Sequence, residues 1–167
     1  MILGTSRLII REILESDLSS LCAMLADEKM MEFSVNGLMS ESQTLEFIKW
    51  CQSSYKDHGI GPWALEGKHD GSFIGFAGLS KELIDGIEEV HVGYRLARNH
   101  WHKGFATEAV SSVVDYGLNS EGCEDIYAII EPEHHSSIRV IEKSGFKVSK
   151  KTKFHDKFVN IYRKSKL

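Results

Sequence analysis

The stretch 101–109, with the sequence WHKGFATEA, holds the residues whose types and spacing point most directly to chemistry. Its small residues, Gly104 and Ala106, lie between an apolar strand pattern at 90–96 and a helical pattern. The first backbone N–H groups of a helix have no partner within the helix, and the helix dipole adds about half a positive charge there. Because Gly104 and Ala106 let an anion approach the main chain, and Lys103 adds a positive charge, we predict a phosphate-binding site.

The strand pattern before this stretch contains the candidate proton acceptors. Strand alternation places Glu89, His91 and Gly93 on one face. A neutral imidazole titrates near physiological pH, so His91 is a candidate general base, and Glu89 can accept the proton itself or orient His91. A solvated strand face without a catalytic role is the alternative, and the sequence leaves it open.

Size and composition place limits on the function. The chain has 167 residues, and we expect a single domain over 1–167. It is 42% hydrophobic and 26% charged, as in ordinary globular proteins, and its formal net charge of −4 argues against general nucleic-acid binding. No stretch approaches the roughly 20 apolar residues of a membrane span, and the start lacks a secretory pattern. We therefore expect a cytoplasmic protein without membrane contact.

The cysteines and histidines do not suggest a metal or disulfide framework. Cys22, Cys51 and Cys123 are odd in number and widely spaced, so we expect free thiols. His134 and His135 are adjacent but lack an acidic or cysteine partner at ligand spacing. We expect no metal site.

The residue patterns predict strands and helices in an α+β order. Strands are predicted at 8–13, 63–66, 72–79, 88–96, 125–131, 146–149 and 158–163, and helices from Leu18, from Ser40 to before Gly59, at 105–119 and at 136–144. The Asp70-Gly71 pair predicts a hairpin of antiparallel strands. The strand, helix and strand across 88–131 predict a parallel crossover, so the sheet is mixed.

Two stretches resemble the signatures of one family. The stretch 101–109 resembles the acyl-CoA pyrophosphate loop of the GNAT N-acetyltransferases, Gln/Arg-x-x-Gly-x-Gly/Ala, although Trp101 replaces the usual Gln or Arg. Tryptophan at that position is typical of the ribosomal-protein-type branch. The stretch 131–146, EPEHHSSIRVIEKSGF, resembles the segment Pro-Glu-Asn-x-x-Ser-x-Arg-Val-x-Glu-Lys-x-Gly-Phe of the same family. A lone Gly-x-Ala turn is a weak signal, whereas two signatures in the family's order are a strong one.

The resemblance covers nearly the whole chain and implies the GNAT fold. This fold has a mixed, mostly antiparallel sheet of six to seven strands with helices on both faces. The sheet is splayed between the fourth and fifth predicted strands, 88–96 and 125–131. The family resemblance also implies acetyl-CoA as the acyl donor and cosubstrate.

The resemblance further implies which residues hold the donor. Main-chain groups of Tyr94, Arg95 and Leu96 would pair with the pantetheine arm, and the pyrophosphate would lie on the amides of His102, Lys103, Gly104, Phe105, Ala106 and Thr107. A simple tight turn at these positions is the alternative reading. His134 replaces a family Asn that bonds the cofactor arm, and a neutral histidine can make part of that contact.

Family likeness also bears on the reacting groups. His91 aligns with a Glu that is common in the ribosomal-protein-type branch. Many members carry a proton-donating Tyr where this chain has Ile141, which cannot donate. The branch instead carries a Ser at the position of Ser137, proposed to hydrogen-bond the thiol. Ser137 is therefore a candidate for stabilising the thiolate, with a helix cap as an equal alternative.

Aromatic residues are candidates for the acceptor side of the site. Phe33 lies in the loop before the second helix, and we expect it to line the substrate cleft. For Trp50 and Phe76 we expect positions in the core.

The sequence thus predicts an acetyl-CoA-dependent N-acetyltransferase that acts by direct attack in a ternary complex. Its acceptor is a primary amine, either a small molecule or a peptide N-terminus, and the protein is a monomer or homodimer. A non-catalytic acyl-CoA-binding or regulatory module is the alternative, motivated by Ile141, His134 and the missing strand glutamate. An unrelated nucleotide-binding protein would need a Walker or Rossmann glycine motif, and the sequence contains neither.

Overall fold

The computed structural model describes residues 1–34 and 36–167. The strands are β1 Leu3–Gly4, β2 Leu8–Glu12, β3 Pro62–Gly67, β4 Phe73–Ile84, β5 Ile87–Leu96, β6 Asp125–Ile130, β7 Lys147–Phe154 and β8 Lys157–Ser165. The helices are α1 Leu18–Leu25, α2 Glu41–His58, α3 Phe105–Asn119 and α4 His135–Lys143. Among the described residues, no helix is both long enough and apolar enough to span a membrane.

The strands form one eight-stranded sheet in the order β1-β2-β3-β4-β5-β6-β8-β7. Strands β5 and β6 pair in parallel, and the other neighbouring strands pair antiparallel. The predicted α+β class and mixed, mostly antiparallel sheet are confirmed. The prediction of six to seven strands missed β1, whose two residues are too few to show a period in the sequence.

The predicted splay lies between β5 and β6. These strands share one register position, His91 opposite Tyr127. Beyond it, β6 continues its pairing with β8, while β5 continues to Leu96 paired only with β4 among the described residues. The sheet therefore opens toward the carboxyl ends of its two parallel strands, where crossover folds commonly bind ligands.

Helices cover both faces of the sheet, as predicted. Trp63 packs on the face that α3 covers, where Val110 and Val113 are fully buried. The next residue, Ala64, points to the opposite face and packs with Leu21 of α1 and its neighbours. Each such valine or leucine contributes roughly 1.5–3 kcal/mol by leaving water, so the two apolar layers stabilise the sheet on both of its faces.

The helix boundaries follow local signals in the sequence. Ser40 caps α2 by accepting a hydrogen bond from the Gln43 amide, and the Gln43 side chain accepts one from the Ser40 amide. Gly59 ends this helix in the left-handed conformation, with φ of 72°. Both ends were predicted from these residues.

Two hairpins extend further than predicted. Strands β4 and β5 pair without a break and are joined by Asp85 and Gly86, whose φ angles are 51° and 80°. His155 and Asp156, with φ of 49° and 64°, join β7 to β8. Such turns match the twist of paired strands. The basic segment predicted as a turn between 149 and 158 is therefore mostly strand.

Candidate active site

The loop before α3 presents open backbone donors. Gly104 is the N-cap of α3 with φ of 81°, and no side chain caps this helix end. His102 is also left-handed, with φ of 61°. Gly104 and the first residues of the helix line a cavity of about 500 Å³. The free amides of the helix start thus face an open space.

This space, called the loop cavity, is lined by nine of the residues predicted to hold the donor. They are Tyr94, Arg95, Leu96, His102, Gly104, Phe105, Ala106, Thr107 and His134. The other charged residues of its wall are three cations, Lys29, Arg139 and Lys143, and one carboxylate, Glu32. The excess of positive charge suits an anionic ligand.

Lys103 is the loop residue that does not line the loop cavity. It is exposed, and its carbonyl accepts a hydrogen bond from Nη1 of Arg7 at 2.9 Å. Lys103 therefore contributes a backbone carbonyl that holds the loop, and its ammonium group does not line the cavity.

An unpredicted set of contacts holds the loop in place. The Glu108 carboxylate accepts from Nε of Arg7 at 2.7 Å, from the Arg7 amide at 2.8 Å and from the Thr5 hydroxyl at 2.6 Å. The Arg7 guanidinium also lies 4.2 Å from the ring centroid of Phe105. Burial acts to raise the pKa of Glu108, but these hydrogen bonds outweigh it, and the net pKa is lowered. We call Arg7 and Glu108 the loop brace.

No pattern in the sequence predicts the loop brace. An acidic residue in the first turn of a helix is normally explained by the helix dipole, without a distant partner. Trp101 adds a second fixed point, since its indole N–H donates to the Leu96 carbonyl at 2.8 Å. This bond ties the loop to the end of β5.

A second space, called the strand cavity, lies within the splay and has a volume of about 470 Å³. Ser80 and Glu82 of β4 and His91 and Gly93 of β5 line it on one side. Residues of β6 from Ala128 to Ile130 line it on the other.

His91 lies at the vertex of the splay. Its Nε2 is 2.9 Å from Oγ of Ser80, the residue directly opposite on β4. Burial lowers the pKa of His91, and the nearby Glu82 only partly opposes this. The imidazole is therefore neutral at pH 7 and has a proton-accepting nitrogen.

Glu89 does not line either cavity. The residue opposite it on β4, Glu82, lines the strand cavity, and its charge acts on His91. The carboxylate near the imidazole thus comes from the neighbouring strand, which strand alternation along β5 alone could not reveal.

Gly93 leaves bare backbone beside His91. A Cβ added at Gly93 would have the His91 Cε1 atom, 3.9 Å away, as its nearest neighbour. No β-bulge interrupts the pairing of β4 and β5, so the predicted placement of Glu89, His91 and Gly93 on one face holds, and Arg95 follows on the same face. Next to the candidate base, the floor of the strand cavity is therefore the backbone of Gly93, with no side chain above it.

Ser137 forms a polar pair with Tyr94. The Tyr94 hydroxyl donates to Oγ of Ser137 at 3.2 Å. Ser137 is the third residue of α4 and is 7% exposed, and its side chain does not cap the helix. Burial raises the pKa of Tyr94 although the Ser137 bond acts to lower it, so the phenol keeps its proton at pH 7. Ile141 lines the strand cavity but has no polar group.

The two cavities share four residues, namely Phe33, Tyr94, Arg95 and His134. Phe33 stacks on His134 with ring centroids 4.0 Å apart and planes 7° from parallel. Burial lowers the pKa of His134, and the Arg95 charge lowers it further. A neutral His134 ring thus pairs with Phe33 where the loop cavity meets the strand cavity.

Phe47, Trp50 and Phe76 form one aromatic wall of the strand cavity, which Phe33 and Phe154 also line. Phe76 is buried as expected, whereas the prediction of a core position for Trp50 was wrong, because its side chain is 49% exposed. Phe47 connects them, with ring centroids 5.3 Å from Phe76 and 6.1 Å from Trp50. The helical period placed Trp50 near the apolar face but could not show that α2 borders a cavity.

Within residues 1–34 and 36–167, no group of three or more metal-ligating side chains is close enough to hold a metal ion. Cys22, Cys51 and Cys123 are free thiols. Burial raises the pKa of the Cys51 thiol to about 12, which keeps it protonated and unreactive.

Comparison with known proteins identifies the family. The acetyltransferase (GNAT) domain family matches residues 7–147. The uncharacterised protein YkkB of Bacillus subtilis (strain 168) is 32% identical over 162 residues, which cover 97% of this chain and 94% of YkkB. The uncharacterised N-acetyltransferase YoaA of the same organism is 30% identical over 146 residues, covering 87% of this chain and 82% of YoaA.

Solved structures share the fold. An acetyltransferase of the GNAT family from Bacillus anthracis superposes with a TM-score of 0.80 at 21% identity, over 96% of this chain and 95% of that one. The aminoglycoside acetyltransferase AAC(6′)-Ib, in complex with coenzyme A and kanamycin, superposes with a TM-score of 0.76 at 19% identity, over 95% and 94%. The family match and the curated relatives together show that this chain belongs to the GNAT acetyltransferase family and is an acyltransferase.

Proposed function

We propose that this protein transfers an acetyl group from acetyl-CoA to a primary amine, by direct attack of the amine on the thioester in a ternary complex. One observation carries the proposal. The loop cavity and the strand cavity meet at Phe33, Tyr94, Arg95 and His134, at the mouth of the splay. A donor lying in the first cavity and an acceptor lying in the second would bring their reacting atoms together there.

The loop cavity fits the anionic part of the donor. The open amides at the start of α3 face it, and the left-handed Gly104 brings the main chain to the surface. Arg139 and Lys143 of α4 face the same cavity and have no carboxylate partner among the described residues. AAC(6′)-Ib, which shares the fold, was solved with coenzyme A. Acetyl-CoA would supply the thioester carbonyl carbon and the thiolate leaving group.

His91 is the proposed general base. Its neutral imidazole can accept the proton of the acceptor ammonium, and the bare floor at Gly93 gives the amine room beside it. Ser80 holds the ring by its contact with Nε2. Glu82 would stabilise the imidazolium that forms, because its charge raises the pKa of His91. Glu89 lies outside both cavities, and we assign it no direct contact with the reacting groups.

Ser137 is the proposed partner of the leaving thiolate. Because its Oγ accepts a hydrogen bond from the Tyr94 hydroxyl, its own O–H is free to donate to a sulfur atom. Tyr94 lines both cavities and would polarise this hydroxyl. This pair would replace the tyrosine that the chain lacks at Ile141.

We also propose that the chain belongs to the ribosomal-protein-type branch. Trp101 and Ser137 support this placement. The Trp101 indole N–H donates a hydrogen bond to the end of β5. Trp101 therefore fixes the loop and does not use this group to contact a phosphate. The proposed acceptor is a small-molecule amine or a peptide N-terminus.

Two measurements on the purified protein test the proposal. We expect acetyl-CoA to raise the melting temperature, and a panel of amines and short peptides to cause release of CoA thiol. His91→Gln should lower that release about 100-fold or more, within the range for general bases. Thermal protection without release by any amine would support the acyl-CoA-binding module instead. Absence of protection would refute the placement of the donor on the loop.

A further inference from the structure

Arg95 is a half-buried cation that lines both cavities where they meet. Its side chain forms no ion pair or hydrogen bond with any other described residue. Buried charges in proteins are normally paired, because the cost of removing them from water is otherwise not recovered. Burial lowers the pKa of Arg95, but a guanidinium stays protonated at pH 7. Its guanidinium is therefore available to pair with an anion that enters the cavities.

The position of Arg95 in the sheet points to the acceptor as the source of that anion. Arg95 is opposite Phe76 of β4, on the same face as Gly93 and His91. The donor phosphates already have the α3 amides and two cations of α4 in the loop cavity. On its own face Arg95 borders the space beside the candidate base.

The other residues of the strand cavity indicate which chemical groups the acceptor carries besides an anion. Phe47, Trp50 and Phe76 form an apolar wall next to Arg95, which suits a large apolar group. The cavity has two carboxylates, and one of them, Glu131, is neutralised by Lys157 at 3.0 Å. A molecule with several ammonium groups would thus find one unpaired carboxylate, Glu82, and would face Arg95.

We propose that the acceptor is an amino acid with a large apolar side chain. Its amine would lie beside His91, its carboxylate would pair with the Arg95 guanidinium, and its side chain would lie along the wall formed by Phe47, Trp50 and Phe76. This assignment rests on the proposed acetyl transfer. In the reaction the C–S bond of the thioester breaks and an N–C bond forms. One ammonium proton passes to His91 before the attack, and a second leaves the nitrogen as the amide forms and goes to the thiolate, which leaves as CoA thiol.

Matched substrates test this assignment. CoA release is measured with L-phenylalanine and L-tryptophan, with their decarboxylated amines phenethylamine and tryptamine, and with kanamycin and spermidine. We expect kcat/KM for each amino acid to exceed that of its decarboxylated amine about 10- to 100-fold, the usual worth of a charge-assisted hydrogen bond.

Variants of Arg95 complete the test. Arg95→Gln should abolish the preference for the carboxylate and leave the Kd of acetyl-CoA unchanged, while Arg95→Lys should restore part of it. Arg163→Gln removes a charge that pairs with Asp125 outside both cavities and is the matched control.

Several outcomes would overturn the assignment. Equal or better turnover of the decarboxylated amines or of the polycations would refute it while leaving acetyl transfer intact. Weaker acetyl-CoA binding by Arg95→Gln with an unchanged carboxylate preference would show that Arg95 binds the donor. No release with any amine in the wild-type protein would refute the acetyl transfer itself.

Discussion

The Tyr94 hydroxyl donates a hydrogen bond to Oγ of Ser137 across 3.2 Å, which joins the splayed strand β5 to the first turn of α4. The bond lies at the edge of both cavities, and it leaves the Ser137 proton free to face a ligand. A proton donor thus exists near the meeting point of the cavities although Ile141 has none.

Loss of this pair should slow turnover without weakening donor binding. We expect Ser137→Ala and Tyr94→Phe each to lower kcat about 10-fold, and the double variant to lose less than the product, because the two groups act together. Steady-state kinetics and acetyl-CoA titration measure both quantities. Tyr116→Phe removes a hydroxyl that bonds Glu121 at the far end of α3, and is the matched control. Additive losses would contradict a coupled pair.

The pH profile should show the lowered pKa of His91. Because burial lowers this pKa below the ordinary 6.5, the imidazole stays neutral and active in moderately acid solution. The acid limb of kcat/KM should therefore lie below pH 6.5. Glu82→Gln should move this limb to lower pH, since the Glu82 charge raises the pKa.

His91→Gln gives the complementary result. At a pH where the acceptor is an ammonium ion, this variant should turn over about 100-fold more slowly than the wild-type protein. The difference should shrink as the pH rises toward the pKa of the amine. A loss of equal size at every pH would show that His91 positions the substrate and does not accept its proton.

Gly104 should be required for its backbone conformation. An L-residue in the left-handed region costs roughly 1–2 kcal/mol, and asparagine costs less than alanine. We expect Gly104→Ala to weaken acetyl-CoA binding more than Gly104→Asn does. Gly122→Ala places the same strain, at φ of 75°, near the other end of α3 where added atoms meet nothing. It should lose comparable stability and keep its acetyl-CoA affinity, as calorimetry and titration can show.

The loop brace should couple the first strands to donor binding. Glu108→Gln weakens the hydrogen bonds from Arg7 and Thr5, and we expect a lower melting temperature and a several-fold higher Kd for acetyl-CoA, in line with about 1 kcal/mol for such bonds. Because the Glu108 pKa is lowered in the folded protein, this contribution is present above its ordinary pKa of 4.5 and is lost as the pH falls further. Glu121→Gln, next to Gly122 and just after the end of α3, should leave the Kd unchanged.

Filling the floor of the strand cavity should block the acceptor alone. Gly93 is exposed, and its added Cβ would have the His91 Cε1 as its nearest neighbour at 3.9 Å, an ordinary contact distance, so Gly93→Val should fold normally. We expect kcat/KM for the acceptor to fall about 10-fold or more, as a methyl-sized intrusion commonly costs 1–3 kcal/mol, with acetyl-CoA binding unchanged. At Gly78 an added Cβ would lie 2.0 Å from the Gly61 carbonyl oxygen, so Gly78→Val should destabilise the fold instead.

The sequence predicts the structure well where neighbouring residues decide it. The capped ends of α2 at Ser40 and Gly59, and the loop start of α3 at Gly104, follow from hydrogen bonds and φ angles within a few residues. At Trp50 the prediction of a core position was wrong, because a helical period distinguishes the faces of a helix but does not show what covers them.

By itself the sequence determined the α+β order, the parallel pair of strands and the open amides at the start of α3, since these depend on local periods and turn chemistry. The splay between the parallel strands was implied only by the family resemblance. Only the tertiary structure decided that Arg7 holds Glu108 and that Phe33 stacks on His134. It also placed Arg95 where the cavities meet, without a charged partner among residues 1–34 and 36–167. Such contacts depend on how separate elements pack, and no short-range period in the sequence carries that information.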